Sequence, residues 1–215
     1  MVMVGILLAL QIDNWSEDRK DRYIEEQYLE RILHDLQNDT IYFQSQISLS
    51  EINISHLDSF LVEMYKAPEN PDDVLRITKH SFLQTDDLTL KNSTFRELIS
   101  TGSMNILSDQ EIKAAILNYY HLGEDIANQI KEFNLFSTRV LADVFANVPS
   151  FSHLILMNLK DELGMELFND QRSDKFLAVE GVVAVYRLRN MEDLEHFREL
   201  KIAAEQLIIQ LQNAS

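Results

Sequence analysis

The sequence contains no cysteine, and it has only five glycines and three prolines among 215 residues. Without cysteine the chain cannot form disulfides, thiol nucleophiles, zinc fingers or iron–sulfur clusters. β-Sandwiches, barrels and glycine-rich cofactor folds depend on tight turns that need glycine or proline. The scarcity of both residues therefore favours long helices joined by few loops.

Basic residues are also scarce, since 19 Lys and Arg stand against 35 Asp and Glu and give a net charge of -16. Such a surface repels a phosphate backbone, so we expect no nucleic-acid partner. With 46% hydrophobic and 25% charged residues, the composition is that of a globular protein. The length suits one domain, or one domain with an anchor.

Residues 6–67 contain neither glycine nor proline, and apolar residues recur there every three or four positions. This spacing predicts one helix over 13–66 with a coiled-coil-like apolar stripe. The segment "ISLSEINIS" at 47–55 partly alternates like a strand, but the helical phase continues on both sides. Serine can bond back to the preceding turn, so a kink near 48–50 is compatible with this helix. The predicted stripe is Leu29, Leu33, Leu36, Thr40, Phe43, Ile47, Ser50, Ile54, Leu57, Leu61 and Met64.

Two later segments repeat this spacing and predict two more long helices. One begins near Ser108 and ends near residue 147, where Pro149 stops it; the other runs to the C-terminus, although "VVAVYRLR" is rich in residues that favour strands. The first stripe is Ile112, Ile116, Tyr119, Gly123, Ile126, Ile130, Phe133, Ser137, Val140 and Val144. The second is Phe176, Val179, Val183, Tyr186, Asn190, Asp193, Phe197, Leu200, Ala204, Leu207 and Leu211. Its two polar members, Asn190 and Asp193, indicate a kink, a break or a buried polar contact.

Shorter elements fill the intervals between the long helices. The prolines of "APENPDD" at 67–73 end the first helix, a second helix follows at 73–84, and 85–92 is predicted to be a loop. Thr94 with Glu97 suggests a capping box for a short helix that ends at Thr101, and Gly102 is placed to follow it in a left-handed conformation.

Two further boundaries are predicted from local residues. Ser108 with Glu111 suggests a capping box for the next long helix. Another short helix is predicted at 152–164, where Gly164 ends it. Together these elements predict an all-α fold: an elongated antiparallel helical bundle of three long helices and several short ones.

The first twelve residues, "MVMVGILLALQI", are apolar or glycine except for Gln11, and a polar run follows Trp15. A signal peptide would need a basic start and a small-residue cleavage site, and nothing basic precedes Val2. Twelve helical residues rise only about 18 Å against a hydrocarbon core of about 30 Å. The segment is either an apolar helix start packed in the core or, as we expect, a truncated transmembrane helix with Trp15 at the interface. On that interpretation 1–14 is the C-terminal half of a membrane anchor and 15–215 is the helical domain. The anchor residues are Val4, Ile6, Leu7, Leu8, Leu10 and Trp15.

Two stretches resemble the DUF6090 family, an uncharacterised family of Bacteroidetes. "GILLALQIDNWSEDRK" at 5–20 is similar to the family's anchor signature, and "NSTFRELISTGSMNILSDQEIKAAILNYY" at 92–120 is similar to its mid-domain pattern. The chain departs from the family in lacking a basic tail and half of the anchor. The resemblance implies an inner-membrane protein with the bulk of the chain in the periplasm, and it implies no activity.

No catalytic, cofactor-binding or metal-binding constellation is predicted. A di-metal helical bundle needs Glu-x-x-His pairs, and none of the six histidines has a glutamate three positions earlier. "STGS" at 100–103 lacks the lysine of a phosphate-binding loop and is interpreted as a helix end. In "NYYH" at 118–121, Tyr119 lies on the stripe, while Tyr120 and His121 lie off it, with polar tips expected at the surface.

Three hypotheses about function follow from these features. The first is a membrane-anchored extracytoplasmic interaction or sensing module, with the lipid bilayer and a protein as partners. The second is a soluble ligand-binding protein or enzyme with an unrecognised pocket between helices. In the third, the stripes form the interface of a homo-oligomer.

Overall fold

The structure, a computed structural model, describes residues 2–66, 83, 86–156 and 166–214. Side chains are described for these residues except 2–10, 12–14, 18, 153, 154, 156, 166 and 214. Throughout these ranges the regular structure is helical and no strand occurs, which confirms the all-α class. The predicted helix at 73–84 and the end of the one at 152–164 lie outside the described residues.

The first helix, α1, runs without interruption over Val2–Tyr65. The prediction of one long helix is confirmed, although the helix begins earlier than residue 13. The strand-like stretch at 47–55 is helical, because the apolar spacing on both sides of it has the helical period. Within this stretch the Ser48 hydroxyl donates to the Gln44 carbonyl at 3.2 Å, which is the backbone contact that serine offers inside a helix.

The buried face of α1 only partly matches the predicted stripe. Six predicted positions are buried: Leu36, Phe43, Ile47, Ser50, Leu57 and Met64. Other predicted positions, such as Leu33 and Leu61, are half-buried. In addition, Ile32, Asp39, Asn53 and Phe60 are buried, and the prediction missed them. A globular helix buries a wider face than a two-position coiled-coil line, so the contacts extend to one side of the predicted stripe.

Four further helices and two short 3-10 helices complete the described regular structure. The α-helices are α2 at Ser93–Ser100, α3 at Gln110–Asn147, α4 at Pro149–Leu156 and α5 at Asp174–Ala214. The 3-10 helices are Ser103–Ile106 and Glu166–Phe168. Residues 86–92 have no regular structure, as predicted for this loop. Pro149 ends α3, as expected, and is also the first residue of α4, a position where its missing N–H costs nothing.

All eleven predicted stripe positions of α5 are buried. The strand-favouring "VVAVYRLR" segment lies inside this helix, so the prediction of a continuous C-terminal helix is confirmed. In α3, eight of the ten predicted positions are buried, and Phe133 and Val140 are half-buried. Tyr120 was expected off the stripe with its tip at the surface, but it is 1% exposed, so that prediction is wrong.

Both predicted capping boxes are wrong, and in both cases a long-range contact takes the capping side chain. Thr94 lies inside α2, whose N-cap is Asn92, and the Thr94 hydroxyl donates to Asp35 at 2.7 Å. The N–H groups of Glu111 and Ile112 donate to the Asp109 carboxylate at 2.8 and 3.2 Å. Asp109 therefore caps α3 instead of the predicted Ser108.

The end of α2 follows the prediction. The Thr101 N–H donates to the Glu97 carbonyl at 3.0 Å and the Gly102 N–H donates to the Ile99 carbonyl at 3.2 Å. Gly102 has φ of 70°, in the left-handed region that glycine tolerates best.

The chain forms two compact units, and α1, α3 and α5 contribute residues to both. Unit 1 comprises Met1–Tyr42, Leu90–Glu124 and Leu200–Ser215, and unit 2 comprises Phe43–Thr89 and Asp125–Glu199. In unit 1 the rings of Phe95 and Tyr120 stack with centroids 4.2 Å apart. In unit 2 a cluster of buried aliphatic and aromatic side chains includes Phe60, Phe151, Phe176 and Tyr186.

Candidate functional site

The predicted anchor residues lie at the start of α1. Val4, Ile6, Leu7, Leu8 and Leu10 belong to its first turns, and their side chains lie outside the described set. Trp15 is 59% exposed, and the Arg19 guanidinium lies 5.8 Å from its ring centroid. Among the residues that the structure describes, no helix has an 18-residue stretch apolar enough to span a membrane.

A buried group of polar side chains in unit 1, the tyrosine–aspartate cluster, consists of Asp35, Asp39, Thr94, Tyr119 and Tyr120. Asp39 is only 1% exposed, and its side chain is the centre of this cluster. Its carboxylate accepts the Lys91 N–H at 2.9 Å and the Tyr119 hydroxyl at 2.8 Å. The Tyr120 hydroxyl donates to the Lys91 carbonyl at 3.2 Å. Asp39 and Tyr120 therefore hold the two backbone groups of Lys91 in the 86–92 loop, and Tyr119 holds the Asp39 carboxylate.

The electrostatics of the tyrosine–aspartate cluster favour a structural role. Burial raises the pKa of the Asp39 carboxyl, while the Lys91 N–H and the Tyr119 hydroxyl oppose that shift. Burial also raises the pKa of both tyrosines far above the ordinary value, so both stay protonated and act as donors. The Asp39 carboxylate and both tyrosine hydroxyls are already engaged in hydrogen bonds within the chain. We interpret the cluster as the attachment of the loop to α1 and α3.

A second group of polar side chains surrounds a small cavity in unit 2, here called the polar cavity. Its volume is about 90 Å³. Asn53 of α1 donates from its amide nitrogen to the Asn190 side-chain oxygen at 3.1 Å, and the Asn190 amide donates to the Tyr186 carbonyl at 2.8 Å. Arg189 and Asp193 form an ion pair at 3.0 Å, with 6% of each side chain exposed. The lining is Gln46, Leu49, Ser50, Asn53, Asp86, Arg189, Asn190, Asp193 and Phe197.

The loop before α2 closes one side of the polar cavity. The Asn134 amide of α3 donates to the Asp86 carbonyl at 3.0 Å and to the Asp87 carboxylate at 3.1 Å. These bonds hold Asp86, which is itself exposed, beside the buried Arg189–Asp193 pair. The prediction that Asn190 and Asp193 could mark a buried polar contact is confirmed, and both lie within an unbroken α5.

The size and charge of the polar cavity limit what it can hold. With about 30 Å³ for each water of the bulk liquid, it has room for about three waters, and drug-sized ligands need about 300 Å³ or more. Burial raises the pKa of the Asp193 carboxyl to about 6, and the neighbouring Arg189 charge opposes this shift. The cavity therefore contains a carboxyl group that changes protonation just below neutral pH.

One groove in unit 1 has a volume of about 730 Å³. Four carboxylates and one guanidinium line it, so we call it the acidic groove. Its apolar part comes from α1, the start of α3 and the end of α5. The Glu25 carboxylate accepts both the N–H and the hydroxyl of Ser108, at 2.6 and 2.9 Å, which fixes one wall. The lining is Arg22, Glu25, Glu26, Leu29, Glu30, Leu33, Ser108, Asp109, Ile112 and Leu211.

Among the described residues, no histidine belongs to the tyrosine–aspartate cluster or lines the polar cavity or the acidic groove. His34 and His121 are exposed, and His80 and His153 lie outside the described side chains. Within the described part of the chain, no group of three His, Asp or Glu side chains is arranged to hold a metal ion.

Sequence reasoning missed Asp39, Asn53 and Arg189, which are all buried. Asp39 and Asn53 each lie one position before a predicted stripe residue, and Arg189 directly precedes Asn190. A polar residue beside a helical stripe is a weak signal, because most such residues face water.

No protein-family model, curated protein or solved structure matches this chain. The resemblance to the DUF6090 family therefore stays a prediction.

Proposed function

We propose that this protein is a membrane-anchored, extracytoplasmic helical module for interaction or sensing, arranged as an elongated antiparallel bundle. The observation that carries the proposal is the continuity of α1 over Val2–Tyr65. The same helix begins within the apolar 1–12 segment and then supplies Leu36, Phe43 and Leu57 to the buried positions. An apolar segment in an unbroken helix with a packed domain suits attachment of that domain to a bilayer.

The start of α1 supports a lipid environment for its first turns. Residues 1–12 rise about 18 Å, roughly half of a hydrocarbon core, so we propose that they form the C-terminal half of a membrane anchor. The exposed Trp15 follows at the position of an interfacial aromatic residue, with Arg19 one turn later. The DUF6090 resemblance supports an inner-membrane location with the bulk of the chain in the periplasm.

Membrane fractionation of the full-length gene product in its native cells tests this proposal. We expect the protein in the membrane fraction after a carbonate wash, with release only by detergent. A variant with Leu7→Lys, Leu8→Lys and Leu10→Lys should appear in the soluble fraction. The matched control carries Ile41→Lys, Ile52→Lys and Val62→Lys at exposed positions of the same helix and should stay with the membrane. Recovery of the unmodified protein without detergent would refute the proposal.

The polar cavity favours a second candidate function, a soluble protein that binds a very small polar ligand. Five of its lining residues are buried polar groups: Ser50, Asn53, Arg189, Asn190 and Asp193. A crystal structure of the protein purified from its native cells would test this candidate. If a small ligand is bound, the cavity should contain electron density that separate waters do not explain. Density for about three waters would exclude this candidate.

The third hypothesis is an oligomer built on the helical stripes. The stripe of α5 does not call for one, because all eleven of its positions are buried within a single chain. Light scattering across a wide concentration range would measure the copy number directly.

A further inference from the structure

We propose that the acidic groove of unit 1 binds a basic amphipathic helix of another protein. The inference rests on the interaction role proposed above and names the class of partner. Grooves with an apolar floor and a charged rim bind amphipathic helices through apolar anchors that recur every three or four residues.

The floor of the groove is apolar and comes from three helices. Leu29 and Leu33 are four residues apart, so both lie on the same face of α1. Both are half-buried, whereas Ile112 of α3 and Leu211 of α5 are buried beside them. The part of α1 that lines the groove, 22–33, is about 17 Å long, which matches three turns of a bound helix.

The rim is acidic, and this charge selects a basic partner. Glu26 and Glu30 are exposed and lie one turn apart on α1, and Glu25 and Asp109 add two more carboxylates. Arg22 is the single basic residue in the lining. The net charge of -16 on the whole chain adds a long-range attraction for cations, which raises the association rate of a basic ligand.

The groove does not suit an anion, although it includes the first turn of α3. The Asp109 carboxylate already accepts the N–H groups of Glu111 and Ile112 at 2.8 and 3.2 Å. These are the N–H groups that a phosphate or a carboxylate ligand would otherwise use. The protein's own carboxylate therefore offsets the positive end of the helix, and the rim stays negative.

A fluorescent 14-residue peptide of leucine and lysine tests the proposal by fluorescence anisotropy. Leucine occupies positions 1, 4, 5, 8, 11 and 12 of the peptide, and lysine occupies the rest. We expect a dissociation constant on the order of tens of micromolar at low salt, weakening as salt rises. A scrambled peptide of the same composition should bind at least about tenfold more weakly, because its leucines no longer share one face.

Two double variants show whether the charge of the acidic groove is responsible for binding the peptide. Glu26→Lys with Glu30→Lys reverses the exposed rim and should weaken binding about tenfold or more. Glu195→Lys with Glu199→Lys makes the same change at an exposed i,i+4 pair of α5 and should change binding less than about twofold. Leu29→Gln should also weaken binding, and circular dichroism will show whether the fold is retained.

Three results would overturn the proposal. Equal binding of the scrambled peptide, or equal weakening by both double variants, would mean that only the overall charge attracts the peptide. Association of the protein without peptide that Glu26→Lys with Glu30→Lys abolishes would mean that the groove takes a second copy of the chain. The assay contains no membrane, so its failure leaves the fractionation result for the anchor unaffected.

Discussion

Asp193→Asn should make the free energy of unfolding less dependent on pH. The dependence that it removes lies between the pKa of the Asp193 carboxyl in the unfolded chain and its pKa in the folded protein. The Asp193 carboxylate lies 3.0 Å from the Arg189 guanidinium, and 6% of its side chain is exposed. Asparagine has nearly the same shape and does not titrate, so it removes the protonation of this site together with the charge that pairs with Arg189.

The magnitude follows from the difference between the two states. Burial raises the pKa of Asp193 from its ordinary value of 3.8 to about 6 in the folded protein. The native state therefore binds the proton more tightly than the unfolded state, so the contribution of Asp193 to stability is fully present below pH 3.8 and is lost as the pH rises through about 6. Since each pKa unit corresponds to about 1.4 kcal/mol, the decrease has an upper limit of about 3 kcal/mol.

Urea unfolding monitored by circular dichroism measures this effect in both proteins across the same pH range. The quantity to compare is the free energy of unfolding of the unmodified protein minus that of Asp193→Asn. We expect this difference to fall steadily as the pH rises through the native titration. His196 and Glu192, whose charges also act on this carboxyl, are present in both proteins and largely cancel.

A difference that stays flat would mean that the Asp193 carboxyl has its ordinary pKa in the folded protein. A difference that rises with pH would mean that the attraction of Arg189 exceeds the cost of burial. Either result would refute the reasoning, because both contradict a desolvated carboxyl group in the wall of the polar cavity.

Four more substitutions test the packing, one buried hydrogen bond and one helix cap. Gly181→Ala, with nothing within 4 Å of its Cβ, should raise the free energy of unfolding in urea by up to about 1 kcal/mol. Gly123→Ala should be less stable than Gly181→Ala by about 1 kcal/mol or more, because its Cβ would lie 2.1 Å from the end of the Leu90 side chain, which then has to move. Tyr119→Phe removes a donor from the buried Asp39 and should lower the unfolding temperature, at a cost of about 1–3 kcal/mol. Asp109→Ala removes the α3 cap and should cost about 1 kcal/mol in urea unfolding, and an unchanged midpoint would contradict that role.

Periodicity predicted the helices well because it depends only on neighbours in the sequence. The α5 stripe from Phe176 to Leu211 is buried throughout, even across its strand-favouring segment. In α1 the same reasoning predicted a stripe that runs along one side of the buried face. The width of a buried face depends on what packs against it, and spacing alone does not give that. Asp39 is buried in α1 because Tyr119 and the Lys91 N–H, both distant in sequence, supply its hydrogen bonds.

The capping predictions failed for a related reason. The spacing of Thr94 and Glu97 is that of a capping box, but both side chains bind residues of α1 instead. Thr94 donates to Asp35, and Glu97 accepts hydrogen bonds from Tyr28 and Arg31, which lower its pKa. A local motif gives the residues that could cap a helix, whereas the tertiary structure decides whether they are free to do so. The candidate sites were less predictable than the helices, because each one joins residues far apart in the sequence.

The buried pair of Asn53 and Asn190 in unit 2 explains how the apolar stripes of α1 and α5 can have a defined alignment. Stripes that repeat every three or four residues pack almost equally well after a slip of one helical turn, about 5.4 Å. Such a slip would separate Asn53 from Asn190, which are joined at 3.1 Å. Because Asn190 also donates to the Tyr186 carbonyl, its side-chain oxygen faces Asn53, and a slipped pair would bury amide groups without partners. We infer that this pair selects one alignment of α1 against α5, which apolar burial alone would leave open.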